Sequence, residues 1–147
     1  MNNQNERPAA VAIIQGDGAH PALVGTVRFF PRPRGTVVTV DLMGLPDSET
    51  GFFGFHIHEG GDCSGTGFSA TGSHYNPGNA AHPQHAGDLP PLLSCHGTAR
   101  MSVLTERFQI RNIIGKTVVI HSKPDDFTTQ PAGASGNKIA CGVIRRV

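Results

Sequence analysis

Short β-prone runs closed by Gly, Pro or Asp constrain this chain more than any other feature. AVAIIQGDG (Ala10 to Gly18), VGTVRFFP (Val24 to Pro31), TVVTVDLMGLP (Thr36 to Pro46) and GFFGFHIHE (Gly51 to Glu59) come first. GTARMSVLT (Gly97 to Thr105), KTVVIHS (Lys116 to Ser122) and KIACGVI (Lys138 to Ile144) follow. This is the spacing of an antiparallel meander, and no 3.6-residue apolar period is sustained long enough for a helix. With Trp absent and a single Tyr, the core falls to Val, Ile, Leu and Phe. The expectation is an all-β Greek-key barrel or sandwich. Two long loops interrupt it, one from Gly60 to Pro91, where apolar periodicity vanishes, and one reading KPDDFTTQPAGASGN before the last strand. Loops of this length in a compact domain are usually functional or disordered.

At 147 residues the chain suits one domain, expected over 9–147 behind a flexible tail at 1–8. Lys+Arg number 12 against Asp+Glu 11, so bulk electrostatics supports neither a nucleic-acid partner nor a membrane surface. MNNQNERPAA lacks a basic region followed by an apolar one, and nothing later approaches a membrane span. As written the chain reads as cytoplasmic; a processed start would instead allow export. Three cysteines, Cys63, Cys95 and Cys141, in such a chain read by themselves as reduced thiols.

Seven of the eight histidines lie after Gly54. His56 and His58 alternate with Phe55 and Ile57, so a strand places both imidazoles on one face. An isolated H-x-H of this kind is either half of a metal site or a hydrogen-bonded pair. The first long loop adds His82, His85 and Asp88 in H-x-x-H-x-x-D spacing, a donor set that suits tetrahedral zinc, with His74 of GSHYNP placed to complete it. His121, at the end of TVVIH, makes with His56, His58 and one further imidazole an all-nitrogen set suited to copper. Seven candidates for two ions leave one to be shared, and His74 is the natural bridge, because an imidazole has two ring nitrogens.

GFHIHE, GSHYNP, HAGDLP, IIGKTVVIHSKPDD and ACGVI together resemble the copper/zinc superoxide dismutase family, in family order from about Gly51 to Ile144. The resemblance implies an eight-stranded Greek-key barrel of immunoglobulin-like architecture, copper and zinc as cofactors, and superoxide as substrate. It implies copper at His56, His58 and His121, His74 as the bridge, and zinc at His82, His85 and Asp88. Asp125 corresponds to a carboxylate that accepts hydrogen bonds from one ligand of each metal. Cys63 and Cys141 match the family's disulfide, which leaves Cys95 as an odd thiol with a structural role.

Where the family usually carries an arginine beside the copper, this chain has Lys138, which keeps the charge and loses the planar fork. The second loop, Pro124 to Asn137, is also short beside the family's and lacks the charged residues that help steer superoxide in many relatives, leaving Lys123 and Lys138 as the main local cations. His74 and Lys138 are therefore the residues expected to act in turnover. A copper-binding or copper-delivery domain on the same fold is the alternative, and a zinc-stabilised structural domain with an empty H-x-H is a third reading. IIGKTVVIH resembles a segment that lines a dimer interface, so a homodimer is expected, although RRV puts charge at the end of the chain.

Overall fold

The computed structural model describes residues 5–147. Among these residues nine strands form: β1 (Ala10–Gly16), β2 (Val24–Arg32), β3 (Gly35–Met43), β4 (Phe52–Phe53), β5 (Phe55–His58), β6 (Leu92–Leu93), β7 (Ala99–Thr105), β8 (Thr117–His121) and β9 (Lys138–Arg146). Seven make one antiparallel sheet in the order β5-β8-β9-β1-β2-β3-β7, and β4 pairs with β6. The large sheet curls into a half-barrel. The β4–β6 ribbon lies between its edges, since β4 runs into β5 and β6 contacts β7.

The sequence run Gly51 to Glu59 thus breaks in two at Gly54; counted once, it brings the strands to the eight expected. The break has a local cause. The Gly54 N–H donates to Lys123 O at 2.8 Å, and Gly54 O accepts from the His121 N–H at 2.8 Å. A Cβ at Gly54 would lie 2.9 Å from the Ser135 side chain and 3.1 Å from His121 Cβ. Only a residue without a side chain lets the second loop approach the backbone here.

Among the described residues helix is confined to one turn, α1 (Ile110–Ile113), and to a kinked 3₁₀ segment (Thr66–Thr71) in the first loop. Among the described residues no helix is long and apolar enough to cross a membrane. The core takes alternate residues from the strands, among them Phe29, Phe53, Phe55, Ile57, Leu92 and Ile120, all buried. Of the tail expected at 1–8, residues 1–4 lie outside the described residues. Glu6 accepts two hydrogen bonds from the Arg32 guanidinium, at 2.8 and 3.1 Å.

Candidate metal centre

Strand β5 presents Phe55 and Ile57 to the core, where each is fully buried. Burial of such side chains is worth about 1.5–3 kcal/mol each and fixes the strand's rotation. His56 and His58 must then face the other way. They too are buried, because the first loop folds back on the outer edge of β5. Tyr75 N and Ile57 N donate to Ile57 O and Gly87 O at 2.8 and 2.9 Å, and Glu59 N donates to Ser73 O at 2.9 Å. This backbone ladder satisfies the open edge of the sheet. It also sets His74 opposite His58 and Asp88 opposite His56 as antiparallel bridge partners. Ligands from the loop thus stand beside ligands from the strand.

Two buried groups result, {His56, His58, His74, His121} and {His74, His82, His85, Asp88}, each with its ligand atoms within 4.8 Å of one another. In the first group, the His58 Nδ1–H donates to Gly72 O at 2.8 Å, which leaves the Nε2 lone pair free. That nitrogen lies 3.2 Å from His121 Nε2. His56 Nδ1 and His74 Nε2 are buried and have no hydrogen-bond partner among the described residues. Four imidazole nitrogens thus converge with little to receive them, the arrangement that a cation completes. Burial lowers the pKa of His56, that of His121 to about 3 and that of His58 to about 2. All three are neutral at pH 7 and hold their lone pairs ready for a metal.

The shared residue is His74. Its Nε2 belongs to the first group, while its Nδ1 lies 2.8 Å from Asp88 Oδ1 and 3.1 Å from His85 Nδ1. His82 Nδ1 and His85 Nδ1 approach Asp88 Oδ2 to 3.1 and 3.2 Å. Burial would raise the Asp88 pKa, but the hydrogen bond from His74 and the neighbouring imidazoles outweigh it and hold the carboxyl low. Three imidazoles and one carboxylate form a closed donor set for a tetrahedral ion.

Asp125 joins the two groups. Its Oδ2 accepts from His56 Nε2 at 2.8 Å and its Oδ1 from His82 Nε2 at 2.7 Å. A carboxylate only accepts, so both rings carry their proton on Nε2 and turn the Nδ1 lone pair inward. Burial pushes the Asp125 carboxyl up, and the bonds from His56, His82 and the Phe127 N–H more than reverse this.

Three further residues hold the site and were not singled out by the sequence. Gln130 receives the His82 N–H on Oε1 at 2.9 Å and donates from Nε2 to His82 O at 2.7 Å. Arg107 donates from Nη1 to Pro83 O and His85 O, at 2.6 and 3.2 Å. Thr71 is fully buried and accepts from Lys138. A glutamine, an arginine and a threonine in these positions have no spacing signature, because their partners are backbone atoms or a side chain from distant segments.

The first group opens to solvent through a cleft of about 510 Å³, lined by His58, His74 and His121 with Glu59, Gly136 and Lys138. Lys138 reaches the rim because β8 and β9 slip register at Ile120/His121, which sets Lys138 opposite His121. Its Nζ donates to Thr71 Oγ1 and Gly72 O, at 2.7 and 2.9 Å, and partial burial lowers its pKa. Cys63 and Cys141 form a disulfide that ties the first loop to β9, as the resemblance implied and against the reduced thiols that the residues alone suggested. Cys95 is free and exposed, in the tight turn where Cys95 and Thr98 exchange backbone hydrogen bonds.

An all-β half-barrel with two buried histidine groups sharing one imidazole defines a protein built for two metals. The model of the family described as copper/zinc superoxide dismutase matches residues 23–144. A copper-zinc superoxide dismutase of Legionella pneumophila is 37% identical, over 91% of this chain and 85% of its own. One of Deinococcus radiodurans is 34% identical, over 85% and 79%. The crystal structure of a double mutant of a SOD-like protein from Bacillus subtilis superposes with a TM-score of 0.80 at 27% identity, over 90% of this chain and 95% of that one. The chain belongs to the copper/zinc superoxide dismutase family, and the enzyme reading and the two metals drawn from the sequence stand with it.

Proposed function

We propose that this chain disproportionates superoxide, turning two superoxide anions and two protons into O2 and H2O2. His56, His58, His74 and His121 would hold copper, and His74, His82, His85 and Asp88 zinc. The sharing of His74 between the two buried groups carries the reading. Bound copper supplies one-electron exchange, taken from one superoxide and returned to the next, while bound zinc supplies fixed charge without redox chemistry.

The chain's own residues do the rest. His58 and His121 stay neutral and fixed at the cleft floor, and Asp125 keeps His56 and His82 in one tautomer. His74 Nε2 has no hydrogen-bond partner among the described residues, so its one lone pair can take a metal or a proton by turns, and when protonated it is the atom that passes its proton to the peroxide product. Lys138 draws the anion inward against the opposing charge of Glu59, so added salt slows encounter.

The test is to load the protein with copper and zinc and to follow superoxide decay. The background from loosely held copper is set by His56→Ala/His121→Ala protein. Decay no faster than that background overturns the reading. Ready transfer of copper to an acceptor, with little turnover, would make the chain a delivery domain instead. Lys138 makes a separate prediction. Lys138→Glu should lower turnover by about tenfold at low salt, a typical steering effect, while Lys138→Arg should match or exceed the unaltered chain. Equal rates in both variants would remove Lys138 from anion guidance.

A further inference from the structure

Lys138 ends in a compact ammonium on a flexible four-carbon stem, and such a group finds no direction of its own. Here two acceptors from adjacent residues give it one. Nζ donates to Thr71 Oγ1 at 2.7 Å and to Gly72 O at 2.9 Å. Gly72 O is also the acceptor for His58 Nδ1, at 2.8 Å. One carbonyl therefore fixes both the cation at the rim and an imidazole at the cleft floor. Thr71 lies behind them, fully buried and outside the cleft lining. Its hydroxyl proton goes to Phe68 O at 2.8 Å, which turns an oxygen lone pair toward Nζ. A buried hydroxyl satisfied on both sides has one orientation.

We infer that Thr71 is the positioning residue for anion capture, its hydroxyl holding the Lys138 ammonium over the cleft beside His58 and His121. Without it Gly72 O is the only acceptor left to Nζ in this cradle, and the stem is free to carry the charge toward solvent. Thr71 touches no substrate and acts through Lys138, so the inference rests on the guidance role proposed for that lysine.

The probe is azide, a small monovalent anion, titrated into protein loaded with copper and zinc and followed by the visible absorption of the copper. Thr71→Val preserves shape and removes the acceptor; Thr71→Ser keeps it. Thr71→Val should weaken azide binding about three- to tenfold, the share of one charge-assisted hydrogen bond expected at a partly exposed site. Thr71→Ser should stay within about twofold, and Thr71→Val should add nothing in a Lys138→Met background.

The arms separate the two claims. If Lys138→Met leaves azide affinity unchanged, the guidance role of Lys138 fails and this inference with it. If Lys138→Met weakens binding and Thr71→Val does not, or if Thr71→Val costs the same in both backgrounds, Thr71 alone loses its role. Should Thr71→Val fail to take up both metals, the pair Thr71→Ala and Thr71→Ser carries the same comparison.

Discussion

Asp125→Asn protein should hold copper about 10 to 100 times more weakly than the unaltered chain, the usual effect of losing a hydrogen-bonding partner behind a metal ligand. The size follows from what an amide cannot do. Asp125 uses both oxygens, Oδ2 for His56 Nε2 and Oδ1 for His82 Nε2 and the Phe127 N–H. An asparagine offers one oxygen and one NH2. Whichever imidazole meets the NH2 must accept on Nε2 and move its proton to Nδ1, the nitrogen that faces the metals. Since Oδ1 carries two of the three bonds, the amide oxygen should stay there and the NH2 should face His56. Copper is then the metal that suffers, while zinc, whose ligand His82 keeps its acceptor, should change less. Asp125→Ala lacks the acceptor on both sides and should be worse for both metals. Competition against a chelator of known affinity measures each metal separately. Copper affinity within twofold of the unaltered chain in both variants would show that packing alone holds the tautomers.

Period-two patterning made the strands legible, because each alternates between core and exterior over several residues. The same alternation made His56 and His58 legible as a same-face pair, and H-x-x-H-x-x-D spacing marked the second group. What the residues could not show is how the first loop reaches the strand. That depends on Ile57 exchanging backbone hydrogen bonds with Tyr75 and Gly87, contacts with no side-chain signature. The break at Gly54 was hidden for a related reason. FFGFHIH reads as one continuous run, and only the second loop packing against Gly54 divides it. Gln130, Arg107 and Thr71 were invisible because each is an ordinary polar residue whose role comes from its partner. Lys138 was legible only as a departure from the family's pattern, and its acceptors were not.

Gly133→Ala should destabilise the fold and release zinc about as severely as Asp125→Ala. Gly133 sits at φ +70, in the second loop, directly over the bond between Asp125 and His82. A Cβ there would lie 2.1 Å from Asp125 Oδ1 and 2.6 Å from His82 Nε2. The left-handed backbone alone costs an alanine about 1–2 kcal/mol, and the contacts are far inside van der Waals distance. Relief by moving the loop is blocked, because Gly133 N donates to Thr129 O at 2.7 Å and Gly133 O accepts from Asp126 N at 2.9 Å. The bond from His82 Nε2 to Asp125 is what must open, so the ring loses its orientation by a second route. Because Gly133→Ala and Asp125→Ala break the same bond, their effects on zinc affinity should be markedly less than additive when combined. Gly78→Ala is the matched control, since a Cβ at Gly78 meets nothing within 4 Å. Thermal unfolding and chelator competition should place Gly78→Ala with the unaltered chain and Gly133→Ala well below it. If the two alanine variants unfold alike and hold zinc alike, Gly133 is not the residue that lets the second loop close over the metal centre.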